Sequence, residues 1–468
     1  MGGFFGVVSK VDCINDLFYG TDYHSHLGTK RGGLAVHRPD GFARAIHNIE
    51  NDQFRSKFDQ DIMAMHSRSG IGVISDYDDQ PLLIRSHLGN FAIVTVGAIK
   101  NAEELTRQAF QTRRLHFSEM SGGEVNPTEL VANMISQEES FEAGIERAQA
   151  AIRGSCSLLL LTERGIYAAR DKWGRTPVVI GRKEVSLAVA METCSFPNLG
   201  FETERYLGPG EVVFIASDGY EQKKPPQEKM QICGFLWVYY GYPASSYEGI
   251  NVEWVRNRCG AYLARRNPIQ IDFVSGIPDS GIGHGLGYAA EPRVPFKRPF
   301  VKYSPTWNRS FMPQNQVVRD LVAKMKLIPI RELIEGKRFL FCEDSIVRGT
   351  QLKDTIQRLY DAGALEVHMR PACPPLVYAC KFLNFSTSRF EMDLAARKAI
   401  RELEGESARD LSEYSQNGTE KYRAMEDRIR RRLNLTTLKY QHLEDLVEAI
   451  SLPKERVCTY CWDGVEKP

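Results

Sequence analysis

The pattern of apolar and polar positions divides the chain into two parts with different rhythms. In the first part, short apolar runs at 91–97 and 157–161 end in turn residues, which predicts strands and tight turns, and 127–138 has helical spacing. This mixture predicts an α+β domain over residues 1–225. The polar stretch at 217–229, rich in Lys, Gln and Pro, is predicted to be the linker that ends it.

The second part repeats a strand, a glycine-containing loop and a helix. An apolar run at 272–276 precedes the loop at 278–281, and another at 339–342 precedes a polar loop and an amphipathic helix. This order is typical of a parallel sheet with right-handed crossovers and predicts an α/β domain over residues 226–400. Residues 401–468 are predicted to form a helical C-terminal extension, in which the charge-dominated segment 401–432 predicts solvated helices.

Composition limits the class of protein. The 468 residues are 43% hydrophobic, and 60 basic residues nearly balance 59 acidic ones, so the formal charge of +1 gives no general attraction for nucleic acid. No apolar run approaches the ~18 residues that cross a membrane, and the start of the chain lacks signal-peptide features, which predicts a cytoplasmic protein. The ten cysteines are too sparse for a disulfide scaffold, so we expect buried thiols or metal ligands.

The segment 338–350 carries the strongest chemical signal. A strand that is apolar on both faces ends at two adjacent carboxylates, Glu343 and Asp344, and a Ser/Gly/Thr loop then enters a helix. Unpaired amides and the helix dipole favour a phosphate group at such a helix N-terminus. Because the carboxylates would repel phosphate, we expect them to accept hydrogen bonds from ribose hydroxyls or to position hydrated Mg²⁺. The alternative is an acidic helix cap at the edge of a doubly wound sheet.

This motif resembles the phosphoribosylpyrophosphate-binding motif of type I phosphoribosyltransferases, and 344–350 are most similar to the glutamine phosphoribosylpyrophosphate amidotransferase family. Glu343 stands where that family usually has Asp. The resemblance covers nearly the whole chain. It implies an α+β N-terminal domain of the Ntn-hydrolase-like αββα type, then an α/β type I phosphoribosyltransferase domain with the helical C-terminal extension. The segments similar to the family's glutaminase domain are 168–177, 186–194 and 207–211.

The resemblance also implies roles for residues around the sugar phosphate. Arg309 and Lys326, in a segment similar to the family's mobile loop, are predicted to contact the leaving pyrophosphate, and Ser280 is predicted to lie near Mg²⁺ with Glu343 and Asp344. Displacement at the anomeric carbon passes through an oxocarbenium-like state, so a closing basic loop would supply charge and exclude water. A solvated basic face is the alternative for this loop. The predicted substrate-binding residues are Asp279, Ser280, Gly281, Ser345, Val347, Arg348, Gly349 and Thr350.

The nucleophile of the family's glutaminase is missing. The family uses an N-terminal cysteine, exposed by removal of the initiator Met, whose thiolate attacks the glutamine amide while its own α-amine handles the proton. The equivalent residue here is Gly2, which has no side chain. Cys13 lacks the coupled α-amine that activates such a nucleophile. We therefore predict that the glutaminase half-reaction is absent.

Three further positions support this prediction. Ser75 stands where the family has an Arg that binds the glutamine carboxylate, and Val96-Gly97-Ala98 replaces the Asn-Gly-Asn of the oxyanion hole. Each lost oxyanion donor costs ~3 kcal/mol of transition-state stabilisation. Pro127 replaces an Asp that binds the substrate's amino group, although Thr128 and Glu129 remain.

The resemblance and the missing nucleophile together leave three functional hypotheses. In the first, the protein forms 5-phosphoribosylamine from phosphoribosylpyrophosphate with release of pyrophosphate, the first step of de novo purine synthesis, and takes ammonia in place of glutamine. In the second, it binds phosphoribosylpyrophosphate or a nucleotide as a regulator or scaffold without turnover. In the third, it uses a different amine. The family further implies a homo-oligomer and inhibition by purine nucleotides.

Four cysteines fall at positions where iron–sulfur members of the family have ligands. Cys458 and Cys461 form a C-x-x-C pair, and Cys233 and Cys380 match the other two positions. Four thiolates suit a [4Fe–4S] cluster or Zn²⁺, which would be structural because the displacement is ionic. The alternatives are ordinary buried thiols and a surface redox pair. The cysteines predicted to be core residues are Cys13, Cys156, Cys194, Cys259, Cys342 and Cys373.

Overall fold

The computed structural model describes most of the chain, namely residues 2–76, 78–111, 117–118, 120–121, 124–303, 327–383, 391–405 and 410–466. Arg309 and Lys326, the predicted pyrophosphate contacts, lie outside the described residues. Within these ranges, no helix is long and apolar enough to cross a membrane.

Two antiparallel sheets face each other in the first part of the described chain. The strands of the first sheet are β1 (Gly3–Ser9), β2 (Arg31–Arg38), β3 (Gly41–Asn48), β4 (Ser69–Ser75), β11 (Val179–Lys183), β12 (Ser186–Ala190) and β13 (Glu202–Tyr206). Those of the second are β5 (Leu82–Ser86), β6 (Gly89–Ile99), β9 (Gly154–Thr162), β10 (Gly165–Ala169), β14 (Val212–Ala216) and β15 (Gly219–Lys224). The strand orders are β13-β11-β12-β1-β4-β2-β3 and β15-β14-β10-β9-β6-β5, and β7 (Met120–Ser121) and β8 (Glu124–Val125) form a separate hairpin.

Helices cover the outer faces of these sheets, so the layers are helix, sheet, sheet and helix. The central strand β1 is buried on both faces because alternate side chains enter different layers. Phe4 packs with Leu159 of the second sheet, whereas Phe5 packs with Leu17 on the helical side. The helices are α1 (Ile14–Asp22), α2 (Phe54–Ala64) and α6 (Phe196–Leu199) on the first sheet, α4 (Pro127–Ile135) and α5 (Phe141–Ala151) on the second, and α3 (Ala102–Gln111) beside α4.

The linker predicted at 217–229 was wrong in part. This stretch contains β15, which pairs with β14 at the edge of the second sheet. Its side chains are polar because an edge strand is only partly covered, and charged side chains there also discourage pairing with other chains.

A four-stranded sheet forms the centre of the second part within the described residues, and its strands are all parallel, as predicted. Its order is β19 (Phe273–Gly276), β22 (Arg338–Glu343), β23 (Glu366–Pro371) and β24 (Thr437–Leu438). The helices are α7 (Val252–Arg266), α8 (Ile282–Ala290), α9 (Arg331–Ile334) and α10 (Thr350–Asp361), with a π-helix at Leu236–Tyr240. Short pairs are β16 (Ile232–Cys233) with β25 (Val457–Cys458), β17 (Ser246–Tyr247) with β18 (Ile250–Asn251), and β20 (Phe300–Lys302) with β21 (Leu327–Pro329).

The charged C-terminal segment is more integrated than its composition predicts. It supplies β24 to the parallel sheet, and one face of α13 (Glu420–Arg432) is buried through Tyr422, Met425 and Ile429. The prediction of solvated helices was wrong for this face, because the charges occupy only the outer side of the helix. The remaining elements are α11 (Ala395–Glu404), α12 (Ser412–Ser415), α14 (Leu443–Ile450), α15 (Tyr460–Asp463) and 3-10 turns at Glu391–Asp393 and Lys454–Arg456.

Candidate active site

Two loops from different parts of the chain meet at the carboxyl edge of the parallel sheet. Glu343 ends β22, and Ser280 follows β19, the neighbouring strand. The Ser280 hydroxyl donates a hydrogen bond to Glu343 Oε1 at 3.3 Å, and the Asp344 amide donates to the same oxygen at 3.1 Å. Ligands of such sheets bind outside this edge. The acid pair and the predicted pyrophosphate loop therefore belong to one site.

The acid pair is buried and electrostatically strained. Glu343 and Asp344 are 9% and 7% exposed. Burial, followed by the negative charge of Asp344, raises the pKa of the Glu343 carboxyl well above its ordinary value. A divalent cation or the hydroxyl groups of a sugar would relieve this repulsion, since both interact favourably with paired carboxylates. The residues present thus fit Mg²⁺.

Gly281 brings the pyrophosphate loop against β22. A Cβ atom at this position would lie 2.3 Å from the carbonyl oxygen of Cys342, so only glycine permits the approach. The loop enters α8 directly, and its Asp279 carboxylate forms an ion pair with Lys302 Nζ at 2.5 Å on the exposed side. Lys302 therefore places a positive charge beside this loop.

The loop at 345–350 has the geometry of an anion site. It ends at Gly349, whose φ of +75° is left-handed, and Thr350 then begins α10. The Ser345 hydroxyl donates to Asp344 Oδ1 at 2.5 Å, and the Val347 carbonyl accepts from the Ala395 amide at 2.7 Å. Arg348 Nη2 lies 3.7 Å from Asp393 Oδ2. These contacts fix the loop over a helix N-terminus, where a phosphate group is favoured.

The structure places the positions that the sequence analysis matched to glutaminase residues as follows. A Cβ atom on Gly2 would lie 2.4 Å from the carbonyl oxygen of Ile74, so the backbone leaves no room for a side chain there. Val96-Gly97-Ala98 lies inside β6, where it pairs with 155–157 of β9. The Thr128 hydroxyl is hydrogen-bonded to that of Thr95 at 2.6 Å.

A buried polar cluster lies next to the start of β1. His24 is fully buried, its Nδ1 bonds to the Gly20 carbonyl at 2.8 Å, and a Cβ atom on Gly3 would lie 2.9 Å from its ring. Burial, only partly opposed by Glu192, lowers the pKa of His24 to about 4. Burial disfavours the ionised form of Glu192, but its contact with His26 at 2.8 Å and other polar contacts lower its pKa to about 2. The cluster is therefore a neutral imidazole beside a buried carboxylate.

The four predicted cysteine ligands line one cavity. Cys233 and Cys458 are paired neighbours in β16 and β25, and Cys380 Sγ accepts hydrogen bonds from the amides of Phe382 and Leu383 at 3.5 and 3.3 Å. A hydrogen bond from Cys461, with these amides, lowers the pKa of Cys380 to about 6. Backbone amides directed at sulfur suit a thiolate-ligated metal. In the described ranges, no three His, Cys, Asp or Glu side chains stand close enough to hold an ion in the present geometry.

Comparison with known proteins identifies the family. A family model described as a glutamine amidotransferase domain matches residues 66–197. The amidophosphoribosyltransferase of Bacillus subtilis (strain 168) is 30% identical over 421 residues, which cover 87% of this chain and 86% of the relative. The chain belongs to the amidophosphoribosyltransferase family.

Other amidophosphoribosyltransferases agree over the full length. The enzyme of Methanocaldococcus jannaschii is 29% identical, with 99% of this chain and 97% of the relative covered. A solved structure of the glutamine phosphoribosylpyrophosphate amidotransferase from B. subtilis, complexed with ADP and GMP, superposes with a TM-score of 0.85 at 26% identity. It covers 99% of this chain and 96% of that one. The two-domain arrangement is thus that of amidophosphoribosyltransferases.

The structure of this amidophosphoribosyltransferase family member also shows buried polar residues near the sites that the sequence analysis did not assign to them. Arg256 of α7 is buried and donates to the carbonyls of Trp237, Tyr239 and Gly241, and the nearby charge of Asp344 acts on its guanidinium. The signal in the sequence that could have revealed Arg256 is its place on the apolar face of a helix, where a charged residue is rarely found without a partner. The burial of His24 and Arg175 could not be read from the sequence, because the contacts of His24 with Glu192 and of Arg175 with Phe382 join distant segments.

Proposed function

We propose that this chain transfers the phosphoribosyl group of phosphoribosylpyrophosphate to ammonia, forming 5-phosphoribosylamine and releasing pyrophosphate. This would be the first step of de novo purine synthesis. The observation that carries the proposal is the meeting of Glu343, Asp344 and Ser280 at one sheet edge, beside a helix N-terminus. Membership in the amidophosphoribosyltransferase family supports the same reaction.

The chain's own groups have distinct tasks in this proposal. The loop at 345–350 binds the 5-phosphate, and Glu343 and Asp344 accept hydrogen bonds from the ribose hydroxyls. Ser280, Glu343 and Asp344 would hold Mg²⁺, which when bound supplies charge neutralisation for the pyrophosphate. Gly281 and its neighbours border the leaving group, and the proposed contacts of Arg309 and Lys326 complete that side. Closing basic residues exclude water, which would otherwise compete with ammonia.

Ammonia is the proposed nitrogen source because the first part of the chain lacks the means to hydrolyse glutamine. Gly2 has neither a thiol nor space for one, and Val96 and Ala98 offer no side-chain donor to an oxyanion. The helix–sheet–sheet–helix layers nevertheless remain. We interpret this part as an Ntn-hydrolase fold that persists without its chemistry.

The proposal includes a structural metal and further partners. The shared cavity of Cys233, Cys380, Cys458 and Cys461 supports a [4Fe–4S] cluster or Zn²⁺ that ties the end of the chain to the junction of the two parts. No electron transfer is needed in an ionic displacement. A homo-oligomer and inhibition by purine nucleotides are also proposed, the latter because the B. subtilis neighbour was solved with ADP and GMP.

The decisive assay compares ammonium with glutamine as the nitrogen source. Pyrophosphate release from phosphoribosylpyrophosphate and Mg²⁺ is expected with ammonium, and its rate should rise with pH as the NH₃ fraction increases. With glutamine, we expect neither pyrophosphate nor glutamate. Glutamate formation would contradict the predicted loss of the glutaminase.

The same assay separates the other functions. A protein that binds phosphoribosylpyrophosphate but releases no pyrophosphate with any amine would be a regulator or scaffold. Release with another amine and not with ammonium would identify a different acceptor. The raised pKa of Glu343 supports a functional site at this sheet edge, and pyrophosphate release distinguishes turnover from binding alone.

A further inference from the structure

A buried arginine from the first part of the chain lines the cavity of the four cysteines. Arg175 is 4% exposed, and its guanidinium carbon lies 3.7 Å from the ring centroid of Phe382, another residue of the cavity wall. Its neighbours in the wall are the four cysteines and aromatic or aliphatic side chains, and none of them carries a carboxylate. A buried cation therefore lines the same cavity as the four cysteines, and its charge acts on Cys233 and Cys458.

The backbone attaches Arg175 to the same site. Its carbonyl oxygen accepts the amide of Cys233 at 3.1 Å, and its own amide donates to Asp171 Oδ1 at 3.1 Å. Asp171 also accepts the amide and the hydroxyl of Thr176, at 3.0 and 3.1 Å. This buried carboxylate thus fixes the turn that carries Arg175, and the turn fixes the strand of one predicted ligand.

The guanidinium is incompletely satisfied. Its Nε has no hydrogen-bond partner in the described part of the chain, Nη1 reaches the Gly154 carbonyl only at 3.4 Å, and a further polar contact is a hydrogen bond to Cys458, one of the predicted ligands. Leaving a buried charged donor unmatched is costly, so such a group indicates an anionic ligand. Four neutral thiols supply no such charge. Four thiolates around Zn²⁺ or an oxidised [4Fe–4S] core carry a net charge of about −2, which a neighbouring guanidinium would offset.

We propose that Arg175 is a positioning residue for a thiolate-ligated metal centre, where it offsets the negative charge of the centre and connects it to the first part of the chain. The inference rests on the metal site included in the proposed function and adds a fifth residue to it. Arg175 touches no reacting atom of the transferase site. Its effect is on retention of the metal and, for an iron–sulfur cluster, on its reduction potential.

The test compares anaerobically purified Arg175→Met with Arg175→Lys and with Arg182→Met, whose arginine is exposed and pairs with Glu204. For a cluster, Arg175→Met should make reduction at least about tenfold less favourable, a shift of about −59 mV for one electron. For zinc, its release to a chelator should be about tenfold faster or more. Arg175→Lys retains the charge, so its reduction potential and metal retention should stay closer to those of wild type. Arg182→Met should have the wild-type values.

A second comparison separates this role from simple packing. In a Cys458→Ser background that lacks the complete ligand set, Arg175→Met should lower the unfolding midpoint much less than in the metal-loaded protein. If Arg175→Met is insoluble, Arg175→Gln removes the charge and keeps a donor. Equal metal retention and potential in Arg175→Met and Arg182→Met would overturn the inference, as would equal destabilisation with and without Cys458.

The inference and the proposed function fail separately. Wild-type protein with neither iron nor zinc at the four cysteines would overturn the role of Arg175, whatever the ammonium assay shows. Absence of ammonium-dependent pyrophosphate release from a metal-loaded protein would overturn the proposed transferase reaction and leave the Arg175 measurements valid.

Discussion

Two buried polar sites, one in each part of this chain, are in opposite states. At the edge of the parallel sheet, two buried carboxyls stand side by side, and burial together with the charge of Asp344 raises the pKa of Glu343. In the first part, Thr128 bonds to Thr95, and the Thr95 amide donates to Gln80 Oε1 at 2.7 Å. The first arrangement is costly without a ligand, whereas the second is complete by itself. Costly arrangements of this kind cluster at functional sites, which is consistent with the proposed transferase reaction.

The largest expected effect comes from breaking the strained site. Asp344→Asn keeps the shape of the side chain and removes one negative charge, so it should lower ammonium-dependent pyrophosphate release at least about a hundredfold. The rate at saturating phosphoribosylpyrophosphate and Mg²⁺ measures this loss. Asp354→Asn, an exposed change on α10, is the matched control and should retain the wild-type rate. Equal rates in both variants would show that the acid pair has no catalytic role.

The features of the two sites that depend on contiguous sequence motifs could be predicted from the sequence. A strand followed by Glu343 and Asp344 and then a helix is a continuous motif, and parallel pairing alone brings Ser280 to the same edge. The four cysteines were assigned through family resemblance, and the structure places them around one cavity. Short apolar runs also marked β6 and β9 of the second sheet and β19 and β22 of the parallel sheet, because strands buried on both faces are continuously apolar.

Other features depend on contacts between distant segments, which no local pattern encodes. Nothing near Gly2 in sequence indicates that the Ile74 carbonyl fills the space of a side chain. Arg175 lies in the loop between β10 and β11, and the other residues of the cavity that it lines all lie beyond residue 230. The charge of the C-terminal segment concealed a buried face because only one side of α13 contacts the core. Composition averages over a helix, whereas packing selects one side.

A second prediction concerns whether restoring the missing thiol is enough to restore glutaminase activity in the first part. Gly2→Cys restores the thiol but places its Cβ atom against the Ile74 carbonyl, so the backbone must shift. We expect no glutamate from glutamine and a loss of roughly 1–3 kcal/mol in the free energy of unfolding, as for other overpacked positions. Measurements of glutamate release and of denaturant-induced unfolding test both effects.

The control for this change is Gly219→Cys. A Cβ atom there meets no atom within 4 Å, so the substitution adds the same thiol in open space and should change stability little. Glutaminase activity in Gly2→Cys would mean that the remaining residues still bind and activate glutamine. The first part of the chain would then lack only the thiol at position 2, and the rest of its glutaminase site would be intact.

The smallest effect concerns the stability of the first part as the pH falls. The pKa of His24 is about 4 in the folded chain, against an ordinary value of 6.5, so between these pH values the unfolded chain binds a proton that the folded chain does not. Stability therefore decreases as the pH falls through this window, by about 2 kcal/mol at pH 5 for this one group. The unfolding free energy at pH 7 and pH 5 measures the change.

The groups that face His24 do not reverse this sign. Glu192 has a pKa of about 2, so its stabilising charge persists down to pH values below the window, and its attraction for a protonated His24 is already part of the lowered value. His24→Asn preserves a donor for the Gly20 carbonyl and removes the titration, so it should flatten the pH dependence. His66→Asn, at a histidine with a 76% exposed side chain, should keep the wild-type slope. If His24→Asn and wild type lose equal stability between pH 7 and pH 5, protonation of the buried His24 does not control this pH dependence. The buried polar cluster of the first part would then not have the neutral imidazole described above.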